Sequence, residues 1–184
     1  MSLTKQKQQT AYLALKEIFG YTSPMQSPRV LKVIVSSGVG KKRDKKQVEI
    51  IENRLARITG QKPSSRPARI SIASFKVRAG DTVGLQVTLR GARMFDFLDK
   101  LIHVALPRTR DFRGLSAKAI DDMGNLTIGV KEHTIFPETS DEDLKDVFGF
   151  AVTIVTTAHT KAEAEAFFRH IGMPLIAEPS TAKK

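Results

Sequence analysis

Two periods of hydrophobic spacing occur along the chain, and each predicts a different kind of secondary structure. Apolar residues three to four positions apart predict amphipathic helices, whereas alternation of apolar and polar residues predicts half-buried strands. The helical pattern occurs at residues 4–19, 44–59 and 92–105, and in a final helix that begins with a capping box at Thr160 and Glu163. The strand pattern occurs at residues 30–36, 66–78, 82–90 and 149–157, with a hairpin at 119–130 around Gly124-Asn125.

The first two helices each have a clear apolar side. In the first helix the residues at helical spacing are Tyr12, Leu15, Ile18 and Phe19. In the second they are Val48, Ile51, Leu55 and Ile58, and Gly60 is the predicted end. We expect these stripes to be the buried sides of their helices.

The two middle strands differ in quality. Residues 82–90 alternate cleanly, with Val83, Leu85, Val87 and Leu89 on one face and Gly84, Gln86, Thr88 and Arg90 on the other. One buried and one wet face is typical of an antiparallel sheet. Residues 66–78 alternate imperfectly, since Ile70 and Ile72 fall on one face but Phe75 and Val77 on the other. Either the strand bulges near Ala73-Ser74 or the second pair is exposed, and Ala79-Gly80-Asp81 is the predicted hairpin turn.

The order of elements predicts the fold. One helix is followed by β-α-β-β-α-β and then by β-α, and the middle six elements match the split β-α-β arrangement of RNA-recognition domains. We therefore expect an α+β fold, with an antiparallel sheet of about five strands, helices packed on one face and the other face open to a partner. A single domain is expected over residues 1–184, because no repeat or deep break in composition divides the chain. Its parts are an N-terminal helix and linker (1–29), a basic RNA-binding core (30–130), an acidic distal loop (131–148), a C-terminal strand and helix (149–177) and a tail (178–184).

Charge is distributed unevenly along the chain. The 184 residues carry a formal net charge of +11. Residues 1–93 hold 19 Lys and Arg against 5 Asp and Glu, a net +14, whereas residues 94–184 hold 11 against 14, a net −3. Positive charge concentrated in one half indicates a polyanionic partner, and nucleic acid is favoured over an anionic membrane or a basic surface with no specific partner.

Candidate catalytic and metal sites are weak. The chain has no cysteine, which excludes disulfides and thiol nucleophiles. The four histidines are too far apart for the spacing of metal ligands: His103, His133, His159 and His170. No apolar run reaches the roughly 18 residues needed to cross a bilayer. Because residues 1–10 also lack a secretory apolar core, we expect a soluble intracellular protein that holds no metal.

The strongest functional signal is a basic stretch at residues 61–93 that contains Phe75. Cationic groups neutralise phosphates, an aromatic ring stacks on an unpaired base, and an amide such as that of Gln61 reads a base edge. Phe75 is a stacking platform if it is exposed and ordinary core if it is buried. The cationic members are Lys62, Arg66, Arg69, Lys76, Arg78, Arg90 and Arg93.

Two other basic segments each have two interpretations. The segment 36–42 (SSGVGKK) lacks the pattern of a phosphate-binding loop, but its amides, with Lys41, Lys42 and Arg43, are suited to an RNA phosphate. The alternative is a plain turn between a strand and a helix. A second cluster, Arg108, Arg110 and Arg113, either contacts RNA or pairs within the chain with Asp111 or the helix end.

Several segments resemble the bacterial large-subunit ribosomal protein L5 family, the binders of 5S rRNA. The matching segments occur in family order between about Tyr12 and Leu175. They are TGQKP at 59–63, SIASFKVRAG at 71–80, VTLRG at 87–91, ALPRTRDFRG at 105–114, Gly124-Asn125, IFPE at 135–138 and TIVTTA at 153–158. Segments of ten residues make a chance match very improbable. Ser36 stands where the family usually has asparagine, and it cannot make a bidentate amide contact.

The resemblance implies a structural constituent of the large ribosomal subunit in the cytoplasm, with no catalysis and no cofactor. It implies binding to 5S rRNA and large-subunit rRNA, contact with P-site tRNA and an intersubunit bridge to a small-subunit head protein. We expect a monomer outside the ribosome and no membrane partner. The alternatives are a free RNA-binding domain or RNA chaperone and, from another class, a metal-dependent nuclease.

Three sets of residues are expected to carry this function. Gln61, Phe75 and Arg78 match family RNA-contacting positions. The full set of candidate RNA-binding residues is Ser36, Lys41, Lys42, Gln61, Arg69, Phe75, Lys76, Arg78 and Arg90. Ala79, Gly80 and Asp81 form the tRNA-facing loop. Glu138, Asp141, Glu142 and Asp143 form the bridge region, which we interpret as a solvated acidic loop rather than a two-metal nuclease site.

Overall fold

The computed structural model describes residues 2–40, 45–139 and 147–176, which contain four α-helices and five β-strands. The helices are α1 (Leu3–Phe19), α2 (Lys45–Thr59), α3 (Gly91–Lys100) and α4 (Lys161–Ile171). The strands are β1 (Val30–Gly38), β2 (Ser64–Pro67), β3 (Thr82–Leu89), β4 (Leu126–Val130) and β5 (Phe150–Thr156). A five-residue π-helical turn, Leu101–Ala105, continues α3 toward Pro107.

The strands form one antiparallel sheet in the order β2-β3-β1-β5-β4. β3 lies between β1 and β2, and β1 lies between β3 and β5. The connection from β1 through α2 to β2 therefore passes over β3. The connection from β3 through α3 to β5 likewise passes over β1, and a parallel pair with one antiparallel strand between its members is the split β-α-β arrangement. The α+β fold is confirmed. The strand that completes the split pattern is β5, whereas β4, which precedes it in the chain, is added at the sheet edge.

One face of the sheet is buried by helices. Along β1, the buried Val33 lies opposite Leu89 and Ile154, and the buried Val35 lies opposite Val87 and Val152. The helices contribute apolar side chains to the same core cluster, among them Ile51, Leu55, Phe97, Leu98, Phe167 and Phe168. The stripe predicted for α2 is confirmed.

The buried side of α1 differs from the predicted stripe. Leu15 is buried, but Ile18 is 68% exposed, and the other buried positions are Thr4 and Ala11. Thr4 lies seven residues before Ala11, and Ala11 lies four residues before Leu15, so all three fall on one helical face. The small Ala11 and the polar Thr4 give no strong hydrophobic signal in the sequence, which explains the error. The N-terminus of α1 is tied to α3, because Asp99 accepts hydrogen bonds from the backbone amides of Leu3 and Thr4.

The N-terminus of α4 forms only one of the two hydrogen bonds of the predicted capping box. Thr160 Oγ1 accepts a hydrogen bond from the amide of Glu163, as expected. The carboxylate of Glu163, however, accepts from the amide of His159 at 2.8 Å and from the hydroxyl of Tyr21. Burial and this hydrogen bond raise the pKa of Tyr21. The Glu163 side chain therefore joins α4 to the segment after α1.

The hairpin predicted at 119–130 is wrong in its first arm. Residues 117–119 form a short 3₁₀ turn, and only Ile120 pairs back, as a single bridge to Leu126. Asp121 fixes the intervening turn by accepting hydrogen bonds from the amide and side chain of Asn125. β4 pairs instead with β5, a partner that lies more than twenty residues further along the chain.

Candidate nucleic-acid interface

The second face of the sheet is open over its central strands, and we call it the open face. Ser36 of β1 lies opposite Gln86 of β3 and Ala151 of β5, and Ile34 lies opposite Thr88 and Thr153. All six side chains are partly exposed, in contrast to the fully buried residues that alternate with them. The prediction that residues 82–90 have one core face and one wet face is confirmed. Short polar side chains on such a face let a nucleic-acid backbone approach the sheet closely.

Gln61 lies at the margin of the open face. α2 ends at Thr59, and the following Gly60, whose φ is +68°, turns the chain back toward the sheet. The hydroxyl of Thr59 then accepts from the amide of Gln61, and the Gln61 side chain donates from Nε2 to the carbonyl of Thr88 at 3.5 Å. This bond holds the amide group beside β3. Among the described residues no hydrogen bond reaches Gln61 Oε1, which remains available to a base edge or a sugar hydroxyl.

The strand predicted at 66–78 is wrong beyond Pro67, because residues 68–81 form a long connection to β3 that we call the 68–81 loop. A 3₁₀ turn at Ala73–Phe75 ends at Lys76, whose φ is +51°, and a single bridge joins Ile72 to Val77. The left-handed residue reverses the chain and interrupts any ladder with β3. The bulged strand is absent; of the second pair, Phe75 is exposed and Val77 is partly exposed, but Ile70 and Ile72 are exposed as well.

Phe75 is exposed at the tip of this loop. Its side chain is 71% exposed, and Ile70 is 73% exposed. Arg69, Lys76 and Arg78 are exposed around it, and none of these three pairs with a carboxylate in the part of the chain that the structure describes. Of the two interpretations left open by the sequence, the core interpretation of Phe75 is therefore excluded. A ring presented to solvent among unpaired cations has the composition of a base-stacking platform.

The end of the 68–81 loop is held in one shape by hydrogen bonds. Asp81 Oδ2 accepts from the amide of Arg78 at 2.9 Å, and the amide of Ala79 donates to Ser71 Oγ at 2.9 Å. The amide of Gly80 donates to the carbonyl of Ala68 at 3.0 Å. Ala79, Gly80 and Asp81 are therefore exposed yet ordered, at the base of the loop beside Ala68.

The remaining candidate RNA-binding residues fall in different places. Arg90 is exposed at the junction of β3 and α3. Lys41 and Lys42 lie outside the described residues. Of the segment that precedes them, Val39 is buried and its amide is engaged by the carbonyl of Val83 at 2.9 Å. That amide cannot hold a phosphate in this conformation. The predicted phosphate contact at residues 36–42 therefore has one backbone donor fewer.

Glu138 has a partner within the chain. Its Oε1 lies 2.6 Å from Lys100 Nζ, which also donates to the carbonyl of Ile58 at 2.8 Å. Asp141, Glu142 and Asp143 lie outside the described residues. The acidic bridge region is thus anchored at its start to α3 and to the end of α2.

Sequence reasoning missed part of the open face. The alternation of Phe150, Val152 and Ile154 with Ala151, Thr153 and Val155 in β5 is the same signal that identified β3. It places Thr153 on the open face, where its hydroxyl lies 3.1 Å from that of Thr127. Within residues 2–40, 45–139 and 147–176, no group of three or more His, Asp or Glu side chains is arranged to hold a metal ion. None of the described helices is long and apolar enough to cross a bilayer.

Comparison with known proteins decides the family. Residues 23–78 match the family model of ribosomal protein L5, and residues 82–175 match the model of that ribosomal family's C-terminus. The chain belongs to the ribosomal protein L5 family. It is 48% identical over 170 residues to large ribosomal subunit protein uL5 of Mycoplasma pneumoniae, covering 92% of this chain and 94% of that protein. It is 52% identical over 162 residues to uL5 of Rubrobacter xylanophilus, covering 88% and 90% respectively.

Membership of the L5 family establishes the general role. The protein is a structural component of the large ribosomal subunit and not an enzyme. It is located in the ribosome, in the cytoplasm. A component of that subunit has ribosomal RNA as its partner. The resemblance recognised in the sequence is therefore confirmed at the level of the family.

Proposed function

We propose that this L5 family member binds 5S rRNA through the open face and the 68–81 loop. The observation that carries the proposal is the exposure of Phe75 among cations that have no partner in the described chain. A large apolar ring costs free energy when it is left in water, so its exposure suits a binding surface. An unpaired base could stack on the exposed part of the ring, and nearby phosphates could be neutralised by the cations.

The open face and the loop make different contacts in this proposal. Ser36 and Gln61 offer hydroxyl and amide groups close to the sheet, where a sugar-phosphate backbone fits. Arg69, Lys76, Arg78 and Arg90 supply positive charge at the β2-β3 side of the sheet, and Lys41 and Lys42 are proposed to add to it. Contacts with large-subunit rRNA use the same positive half of the chain.

Two further contacts belong to the proposal. The ordered turn at Ala79, Gly80 and Asp81 would reach the P-site tRNA, and the acidic segment from Glu138 to Asp143 would bridge to a basic protein of the small-subunit head. The described residues form one sheet and one apolar core cluster, which supports a single-domain protein that we propose is a monomer outside the ribosome.

The test is the affinity of the purified protein for transcribed 5S rRNA, measured by filter binding. Phe75→Ala should weaken binding by about 1–3 kcal/mol if the ring stacks on a base. Phe75→Leu keeps an apolar side chain but removes the π-system, so it should lose most of the same free energy. Met123→Ala is the matched control, because Met123 is 72% exposed in the turn before β4. Equal affinity of the wild type and both Phe75 variants would refute the stacking contact.

A further inference from the structure

A cavity lies at the edge of the sheet opposite β2. It has a volume of about 340 Å³ and lies between residues 106–115, which we call the arginine loop, and residues 128–132 at the end of β4. Its floor is apolar and includes Leu106, Phe112, Ile128 and Ile135. Such a volume is sufficient for one or two apolar side chains, at the lower end of known binding pockets.

The strand beside the cavity has an unpaired edge beyond its first residue, Leu126, which is bridged to Ile120. β4 is the last strand of the sheet, and five consecutive residues, 128–132, line the cavity. In the described residues, no backbone hydrogen bond joins positions 127–132 to any segment other than β5. An edge strand of this kind presents outward N–H and C=O groups that an extended peptide can pair with.

The rim of the cavity is predominantly cationic. Arg110, Arg113 and Lys131 line it, against the two carboxylates Asp111 and Glu132. The three cations are exposed, and none takes part in an ion pair within residues 2–40, 45–139 and 147–176. The intramolecular pairing that the sequence left open for this arginine cluster is therefore absent from the described chain. A ligand with negative charge complements the rim.

A peptide suits this site better than RNA. RNA would satisfy the cations but would leave the apolar floor and the strand edge unfilled. The site is also remote from the 68–81 loop, because β2 and β4 are four strand spacings apart, or roughly 19 Å. A second partner can therefore bind here while RNA occupies the other edge.

We propose that the β4 edge binds an extended acidic segment of another protein. The segment adds a sixth strand beside β4, places an aliphatic side chain in the cavity and sets its carboxylates against Arg110, Arg113 and Lys131. Backbone pairing provides affinity, and the cavity and the rim provide specificity.

The probe is a fluorescein-labelled nine-residue peptide in which glutamates alternate with leucines and valines, titrated to about 1 mM. Amide chemical shifts of the full-length protein should change at residues 128–132 and in the arginine loop. The double variant Arg110→Glu/Arg113→Glu should bind about fivefold or more weakly, since two favourable rim contacts become repulsive. The matched control is Lys5→Glu/Lys118→Glu, which makes the same charge change at two exposed residues outside both the arginine loop and the cavity lining, and it should bind within about twofold of the wild type.

Three results would overturn the proposal. The first is no shift change at residues 128–132, and the second is equal weakening by the two double variants, which indicates only general charge attraction. The third is a larger loss of 5S rRNA affinity in Arg110→Glu/Arg113→Glu than in its control, which would make the arginine loop an RNA contact. A peptide of the same composition with its glutamates in one block should bind more weakly, because it cannot alternate across the strand edge.

Discussion

Asp99 of α3 caps the first turn of α1 by accepting a hydrogen bond at 2.8 Å from the backbone amide of Thr4. The same carboxylate accepts from the amide of Leu3 at 2.9 Å and from the hydroxyl of Ser2 at 2.6 Å. Ser2 occupies the N-cap position but makes no capping bond with its own side chain. A residue 95 positions along the chain therefore supplies the acceptor that helix N-termini usually find locally.

Removing this cap should lower the stability of the fold. Asp99→Asn keeps the size of the side chain but loses the negative charge and one acceptor. We expect a loss of about 1 kcal/mol in the free energy of unfolding, the usual cost of a helix cap, measured by urea denaturation at pH 7. Asp96→Asn, at an exposed position of the same helix, is the control and should change stability little. Equal stability of the two variants would contradict a capping role.

The same residue gives a pH dependence. Partial burial on its own would raise the pKa of Asp99, but the hydrogen bonds from Ser2, Thr4 and Leu3 outweigh it and lower the pKa. A lowered folded-state pKa stabilises the fold above the unfolded value of about 3.9, and this contribution disappears as the pH falls through the folded-state pKa. Asp99→Asn should therefore destabilise the protein at pH 7 but much less at pH 2. A constant difference between the two proteins over this range would argue against the linkage.

Arg78 is expected to contact a phosphate. Arg78→Gln should reduce the slope of log affinity against log salt for 5S rRNA by about 0.7–0.9, because one fewer counterion is released. Lys118→Gln removes one exposed charge from the short turn after the arginine loop and should leave the slope unchanged. If Arg78→Gln weakens binding with no change in slope, Arg78 acts on the shape of the loop rather than on a phosphate.

Gly124 lies where a side chain has no room. Its φ is +76°, and a Cβ would lie 2.8 Å from that of Ala158 and 3.1 Å from the Ala158 carbonyl oxygen. Gly80 also has a positive φ, +93°, but nothing lies within 4 Å of its Cβ position. Both Gly→Ala variants place an alanine at a positive φ, which costs free energy. Gly124→Ala should lose about 1–3 kcal/mol more stability than Gly80→Ala, because its added methyl group also crowds the core. Similar melting temperatures for the two variants would show that the turn before β4 can move away.

The acidic bridge region gives a prediction about ribosome assembly. Glu138→Gln/Asp141→Asn/Asp143→Asn should weaken the association of reconstituted large subunits with small subunits and leave 5S rRNA affinity intact. Its control is Glu17→Gln/Asp96→Asn/Asp122→Asn, which removes three charges at exposed positions elsewhere. Subunit association is followed by light scattering. Loss of 5S rRNA binding in the first variant alone would refute the separation of the two contacts.

The sequence predicted the elements whose signals are local. β3 and α2 have regular alternation or a regular stripe, and the structure confirms both because each buries the side that its pattern indicates. The same reasoning from local pattern gave a wrong prediction for the 68–81 loop. Ile70, Ile72 and Val77 have high strand propensity, but β propensity depends on a neighbouring strand, and the left-handed Lys76 breaks the pairing.

Parts of the candidate site depend on contacts between distant segments. The exposure of Phe75 was one of two possibilities in the sequence, and only the folded loop decides between them. The cavity beside β4 is formed by two segments that are separated by the twelve residues 116–127, and no local pattern in either segment indicates it. The Asp99 cap is likewise invisible to local rules, which look for an N-cap side chain next to its own helix.

The position of β1 at the centre of the sheet affects how the chain folds as it is synthesised. Its neighbour β5 starts at Phe150, so one side of β1 lacks its partner strand until more than a hundred further residues have been made. At roughly 5–20 residues per second, that interval is on the order of 6–20 seconds. During this time Val33 and Val35 lack half of their final surroundings and present a surface prone to aggregation. Nascent chains of this protein are therefore expected to depend on chaperones until β5 has been synthesised.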